Sequence, residues 1–215
     1  MYNPHYPTKV FERAVSDYTG APYVVAVNSC TSALLLTCMW FLKDFPLRWV
    51  ATASGSIIGT RPDIEIPKRT YVSVPMSIIH AGGRPVFRDE SWSGAYQLKP
   101  LPVFDSARRF TSGMFKAGQM QCCSFHASKI LVDTQAGAIL HDDPAADIYF
   151  RKARFDGRTE GIAPKDDHFD TLGHHCYLSP DVAARLLWRL SVLPAHNADL
   201  PNSDYPDLSE APIFR

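Results

Sequence analysis

Gln121-Cys-Cys-Ser-Phe-His-Ala-Ser-Lys-Ile-Leu-Val-Asp-Thr-Gln-Ala-Gly-Ala-Ile-Leu140 carries a single lysine, Lys129, between two apolar segments. Cys122, Cys123 and Phe125 precede it, and Ala136 to Leu140 follow it. Ser124 and Ser128 come before the lysine, with His126 between them. Two apolar runs joined by a small polar turn read as a strand hairpin. An ammonium group resists burial, and full burial of a lysine favours the neutral amine. The neutral amine can then attack a carbonyl carbon. A surface lysine in an ordinary hairpin turn satisfies the same pattern, and both readings stay open on these residues alone.

The chain has 215 residues, enough for one full domain with a sizeable core. Hydrophobic content of 46% and charged content of 20% fit a globular protein in water. The 22 basic and 22 acidic residues cancel, which gives no electrostatic reason for a nucleic acid or an anionic membrane as partner. No apolar run reaches the length of a membrane span, and Met1-Tyr-Asn-Pro-His-Tyr-Pro7 lacks the basic and apolar regions of a signal peptide. The five cysteines are odd in number and have no disulfide-scaffold spacing. Reduced thiols in a cytoplasmic protein are the expectation. There is no internal repeat.

Along the chain, helix and strand signals alternate. Thr8 to Tyr18 reads as a helix capped by Thr8, with Val10, Phe11, Ala14, Val15 and Tyr18 on one face. Gly20 and Pro22 end it, and Tyr23 to Val27 is a short strand. Asn28-Ser-Cys-Thr-Ser-Ala-Leu-Leu-Leu36 then opens a helix that runs to about Lys43. A strand, a small polar turn and an apolar helix aim backbone N–H groups at an anion, although an ordinary capped helix looks the same. Arg48 to Ile58 holds a second short segment, and Asp63 to Pro67 a strand. Lys68-Arg-Thr-Tyr-Val-Ser-Val-Pro75 leads into a helix through His80. Ala81 to Asp89 is a helix end, a turn and a strand. Leu101-Pro-Val-Phe-Asp-Ser-Ala-Arg108 is a strand ending on Asp105, which serves either as a site carboxylate or as a helix cap. Helices follow at Ala145 to Ala153 and Asp181 to Leu193. His174 and His175 lie in a loop, with no further ligands that would make a metal site. The stretch 194–215 is rich in Pro, Asp and Asn and reads as an irregular surface arm beside a domain over 1–193.

These segments, in this order, resemble the DegT/DnrJ/EryC1/StrS sugar aminotransferases, pyridoxal-phosphate (PLP) enzymes of fold type I. Ser-Phe-His-Ala-Ser-Lys129 followed by Gly137-Ala-Ile is similar to the family's cofactor-lysine hairpin. The resemblance implies that Lys129 holds PLP as an aldimine and that Ser124, five residues earlier, is a phosphate ligand. Asn28-Ser-Cys-Thr-Ser-Ala-Leu34 is similar to the family's Asn-Ser-Gly-Thr-Ser-Ala-Leu, with Cys30 for glycine, and implies Thr31 and Ser32 as phosphate ligands. Tyr71 falls where the family has an aromatic residue that stacks on the pyridine ring. Asp105 falls at the aspartate that keeps the ring nitrogen protonated and so makes the ring a better electron sink. Arg108 replaces a glutamine near the cofactor. His175 stands at an asparagine that reaches the neighbouring subunit's site. Thr134-Gln-Ala-Gly137 retains only the last glycine of Gly-Glu-Gly-Gly, and Glu90 to Pro100 is all that remains of a longer family segment. The family's C-terminal small domain has no counterpart in these residues.

The expected fold is a three-layer α/β/α domain around a mostly parallel sheet, similar to the large domain of fold type I transferases. Ligands in such sheets bind beyond the carboxyl ends of the strands. The resemblance implies amino transfer to a keto sugar, possibly nucleotide-linked, in a homodimer with shared active sites. Two alternatives remain: a PLP enzyme acting on a small amino acid, and a non-catalytic domain that works by association with a partner.

Overall fold

The computed structural model describes residues 4–45, 48–51, 57–201 and 205–214. Residues 52–56 of the segment expected over 48–58, residues 1–3 of the N-terminal stretch, and residues 202–204 and 215 of the expected arm lie outside the described residues. In chain order the elements are α1 (Tyr6–Thr19), β1 (Tyr23–Val27), α2 (Cys30–Leu42), β2 (Arg48–Ala51), β3 (Ile57–Thr60), β4 (Asp63–Pro67), α3 (Ser73–His80), β5 (Arg84–Arg88), β6 (Tyr96–Leu98), β7 (Val103–Asp105), β8 (Met120–Ser124), β9 (Gly137–His141), α4 (Pro144–Ala153) and α5 (Pro180–Ser191).

The main sheet has the order β1-β9-β8-β7-β6. It continues into the parallel pair β4-β5 through paired backbone hydrogen bonds between Glu65 and Lys99, of 2.8 and 3.0 Å. Among the described residues, neighbouring strands pair parallel at β7-β8 and β4-β5. The β1-β9, β8-β9 and β6-β7 pairs are antiparallel. The expected parallel character survives in strand direction: β1, β8, β7, β4 and β5 point one way, while β9 and β6 run against them. Tight connections explain the reversals. The Lys129 hairpin folds β9 straight back on β8, and the short turn at Lys99-Pro-Leu-Pro does the same for β6 and β7. β2 and β3 form a separate antiparallel hairpin.

Side chains on successive strand residues face opposite ways, so each strand feeds two cores. Val25, Val27, Cys122 and Ile139 pack with α2, α3 and α4. Val24, Ala26, Cys123, Ala138 and Leu140 pack with α1 and α5. Every residue of β8 and β9 is buried, because helices cover both faces. The three-layer α/β/α arrangement is thus the one expected.

Local details differ. Pro7 sits in the first turn of α1, so the helix starts at Tyr6 and His5 takes the cap position without a side-chain bond. Thr8 is inside the helix, and its hydroxyl reaches the Leu178 carbonyl at 3.5 Å. Residues 194–214 hold no strand or α-helix among the described residues, but they are not a loose arm. Asp199 forms two hydrogen bonds with Arg109, of 2.9 and 2.6 Å. The Leu200 N–H donates to the Arg108 carbonyl, Leu208 is buried, and its N–H donates to the Lys68 carbonyl. This strap crosses the sheet at the carboxyl ends of β7 and β4.

Candidate active site

A cavity of about 490 Å³ opens at the end of the sheet where β7 and β8 finish and α2 begins. Thr31, Tyr71, Asp105, Arg108, Ser124 and Lys129 all line it.

The N-terminus of α2 forms one wall. Ser29 is its cap, with Oγ accepting from the Ser32 N–H at 3.1 Å. Cys30 and Thr31 line the cavity, and their first-turn N–H groups have no carbonyl within the helix to bond, an arrangement that suits an anion. The Thr31 hydroxyl donates to Ser73 Oγ at 2.8 Å, which brings the start of α3 into the wall. Ser32 does not line the cavity. Its hydroxyl donates to Asn28 Oδ1 at 2.7 Å, on the far side of the turn. Cys30, which replaces the expected glycine, lines the cavity half-buried, and burial together with Asp105 pushes its thiol well up.

Asp105 forms the floor and is buried. The Ala107 N–H donates to Oδ1 at 2.9 Å, and the Tyr96 hydroxyl donates to Oδ2 at 2.9 Å. Burial raises the carboxyl's pKa; the two hydrogen bonds and the charges of Lys129 and Arg108 act in the opposite direction. Two of its lone-pair positions are taken, which leaves acceptor capacity for a further N–H.

Lys129 projects from the turn between β8 and β9. The turn is built from Lys129 N–H to His126 carbonyl, Asp133 N–H to Phe125 carbonyl and Phe125 N–H to Ala136 carbonyl bonds. Asp133 binds Arg185 of α5 at 2.9 and 3.1 Å and fixes the hairpin to the domain. That pairing holds the Asp133 carboxyl down at about 2. Gly137 ends the turn against the backbone of Ser29 and Cys30.

Tyr71 stands at the mouth, 57% exposed. Across from it lie Trp92 and Tyr205, with ring centroids 6.4 Å apart and planes 13° from parallel. Arg108 sits over the Tyr205 ring at 5.5 Å, and its guanidinium also donates to the Pro201 carbonyl. The strap therefore contributes to the wall, and it sets the orientation of Arg108.

His175 stands outside this cavity. Its Nδ1 lies 2.7 Å from Asp156 Oδ2 and its side chain is 71% exposed. His174 turns the other way, with Nε2 3.2 Å from Met39 Sδ. No group of His, Cys, Asp or Glu suited to a metal is found among the described residues. No described helix is long and apolar enough to cross a membrane.

Sequence reasoning missed Ser73, Trp92, Tyr96 and Tyr205. Ser73 lies two residues after Tyr71 in a stretch already singled out, and Tyr205 comes from a segment with no distinctive pattern. Trp92 and Tyr96 lie in the short 90–100 stretch, where alternation of Tyr96 and Leu98 was the available signal for a strand.

The cavity suits PLP. A buried carboxylate with spare acceptor capacity, a helix N-terminus, one lysine and an exposed aromatic ring converge on one space, and these are the groups a pyridinium, a phosphate, an aldehyde and a flat ring require.

Residues 5–103 match the DegT/DnrJ/EryC1/StrS aminotransferase family. A stretch of 79 residues, 37% of this chain and 16% of the relative, is 38% identical to the spore coat polysaccharide biosynthesis protein SpsC of Bacillus subtilis (strain 168). Among solved structures, AtS13 from Actinomadura melliaura superposes with a TM-score of 0.70 at 18% identity, over 87% of this chain and 60% of that one. Helicobacter pylori PseC, an aminotransferase involved in the biosynthesis of pseudoaminic acid, gives 0.68 at 18% identity, over 86% and 57%. The PMP form of the sugar aminotransferase Spr1654 from Streptococcus pneumoniae gives 0.65 at 19% identity, over 88% and 59%. The chain thus spans less than two thirds of the length of these relatives. In sequence over residues 5–103, and in fold over most of its length, it resembles the DegT/DnrJ/EryC1/StrS aminotransferases.

Proposed function

We propose that this chain is a PLP-dependent aminotransferase domain that passes an amino group to a keto sugar. The observation that carries the reading is the placement of Asp105 and Lys129 in one cavity beside the open N-terminus of α2. PLP, when bound, supplies an electron sink that stabilises negative charge at the substrate carbon.

The chain's own residues would divide the work. The Cys30 and Thr31 N–H groups and the Ser124 hydroxyl would hold the phosphate, joined by the Thr31 hydroxyl once it turns from Ser73. Asp105 would accept a hydrogen bond from the ring nitrogen and keep it protonated. Tyr71 would cover one face of the ring and exclude water from it. Lys129 Nζ would hold the cofactor's carbonyl carbon, and as a free amine it would accept and return a proton at the site. Arg108, steadied by Pro201 and Tyr205, contributes positive charge to the wall.

The same reading carries a homodimer. His175 and Asp156 are exposed together, and in this reading His175 would reach a second copy's site. Sedimentation at working concentration tests this, and a strict monomer rules it out.

The direct test is incubation with PLP, reduction with borohydride and peptide mapping. The expected result is a visible absorbance band that disappears on reduction, with the label on Lys129. Absence of the band, or label spread over surface lysines, ends the proposal. Amino donors and keto-sugar acceptors are then screened through bleaching and return of the band.

A further inference from the structure

The short stretch between β5 and β7 places two aromatic side chains at the candidate site. Tyr96 of β6 lies directly opposite Asp105 of β7 in the antiparallel register, so their side chains share a face of the sheet. The Tyr96 hydroxyl is 2.9 Å from Asp105 Oδ2 and 2.5 Å from Thr70 Oγ1. A phenol has one proton to give. The ionised carboxylate can only accept, so that proton points to Asp105, and Thr70 must be the donor to Tyr96. Tyr96 is buried. The Trp92 ring packs on it with centroids 4.7 Å apart, and Trp92 is itself held by an indole N–H bond of 2.9 Å to the Arg69 carbonyl.

We infer that Tyr96 is the positioning residue for Asp105: its hydroxyl, backed by Thr70, fixes the carboxylate's orientation and keeps it charged in a buried site. The inference rests on the proposed role of Asp105 toward the pyridine nitrogen. Thr70 is followed directly by Tyr71, so one chain of bonds links the residue that covers the ring to the residue that meets its nitrogen.

The other groups that face Asp105 are Lys129 from the hairpin, Arg108 from the turn after β7, and the thiols of Cys30, Cys122 and Cys123. The thiols are pushed up by burial and stay protonated, so they supply no charge. Lys129 supplies positive charge but reacts with the cofactor. Among these neighbours, the Ala107 N–H and the Tyr96 hydroxyl are the direct hydrogen-bond donors to the carboxylate, and Tyr96 alone of the two is set by a side chain.

The test is Tyr96→Phe, which removes one oxygen and keeps the ring against Trp92. Aspartate-labelled ¹³C NMR of the cofactor-free protein follows the Asp105 titration, with Asp105→Asn to assign the signal. The expected result is that Asp105 titrates at higher pH in Tyr96→Phe than in the unaltered protein. Equilibrium PLP affinity falls about tenfold, the worth of a hydrogen bond to a charged acceptor. Thr70→Val shifts the titration in the same direction by less, and it serves in place of Tyr96→Phe if that variant does not fold. An unchanged Asp105 midpoint in the folded variant overturns the inference, even where PLP still labels Lys129. Failure of PLP to label Lys129 in the unaltered protein ends the functional reading instead, and the titration is read separately from it.

Discussion

A Cβ atom on Gly137 would lie 2.5 Å from the carbonyl carbon of Ser29 and 2.6 Å from the nitrogen of Cys30. Both are backbone atoms, and neither can swing aside. The first residue of β9 therefore touches the N-terminus of α2, and this contact holds the Lys129 turn against the phosphate wall. Gly137→Ala is expected to cost about 1–3 kcal/mol, as for other overpacked sites, read as a lower thermal midpoint. PLP labelling of Lys129 should fall further than the stability loss accounts for, because α2 must move. Unchanged labelling with a normal melt would show that the turn absorbs the methyl without disturbing the site.

The same contact shows what was legible in the sequence. Gly137 is the one glycine between Ser124 and Leu140, and the contact gives it a steric reason. Lys129, Asp105, Thr31, Tyr71, Arg108 and Ser124 could be read because each lies in a contiguous motif, and the cavity gathers all six. Ser32 belonged to the same motif, yet helix geometry turns its hydroxyl toward Asn28. Tyr96 and Tyr205 were not legible. One reaches the site through the register of β6 on β7, the other through a strap that folds back from beyond α5, and neither relationship is local in the chain.

Glu12 and Arg154 form an ion pair in the interior, with both side chains under a tenth exposed. Glu12 also accepts the Ala26 N–H at 2.9 Å and meets Arg151 at 2.9 Å, so it ties α1 to β1 and α4. Glu12→Ala leaves Arg154 buried with its Ala26 carbonyl bond and only the more distant Glu160, at 3.7 Å, as counter-charge. The expected loss is about 3–5 kcal/mol by chemical denaturation. A loss below about 1 kcal/mol would mean that water or Glu160 takes over the pairing.

The Asp133–Arg185 pair gives a pH signature. The Asp133 carboxyl is held below its ordinary value, at about 2, first by the Arg185 hydrogen bonds and then by Thr134. A depressed carboxyl stabilises the fold above the unfolded-state value near 4, and that contribution is lost as pH falls toward about 2. Arg185→Ala should remove this part of the acid dependence, giving a shallower decline in thermal midpoint between those limits. Arg185 is partly exposed, so salt should weaken the effect. An identical acid profile in the variant would show that the hairpin is held by its backbone bonds alone.

The strap's contribution can be separated from its anchors. Tyr205 lines the cavity between Arg108, Trp92 and Tyr71, while the strap is fastened elsewhere, by Asp199 on Arg109 and by buried Leu208. Tyr205→Ala should therefore leave the melting temperature nearly unchanged. Its effect should appear at the mouth: faster release of unreduced PLP on rapid desalting, by about tenfold, since an aromatic wall of this kind excludes water from the cofactor's ring. Leu208→Ala removes a buried anchor and should both lower the melt and speed release. If Tyr205→Ala releases PLP at the unaltered rate while Leu208→Ala is fast, the strap works by holding Arg108 in place, and the ring of Tyr205 is packing for that arginine alone.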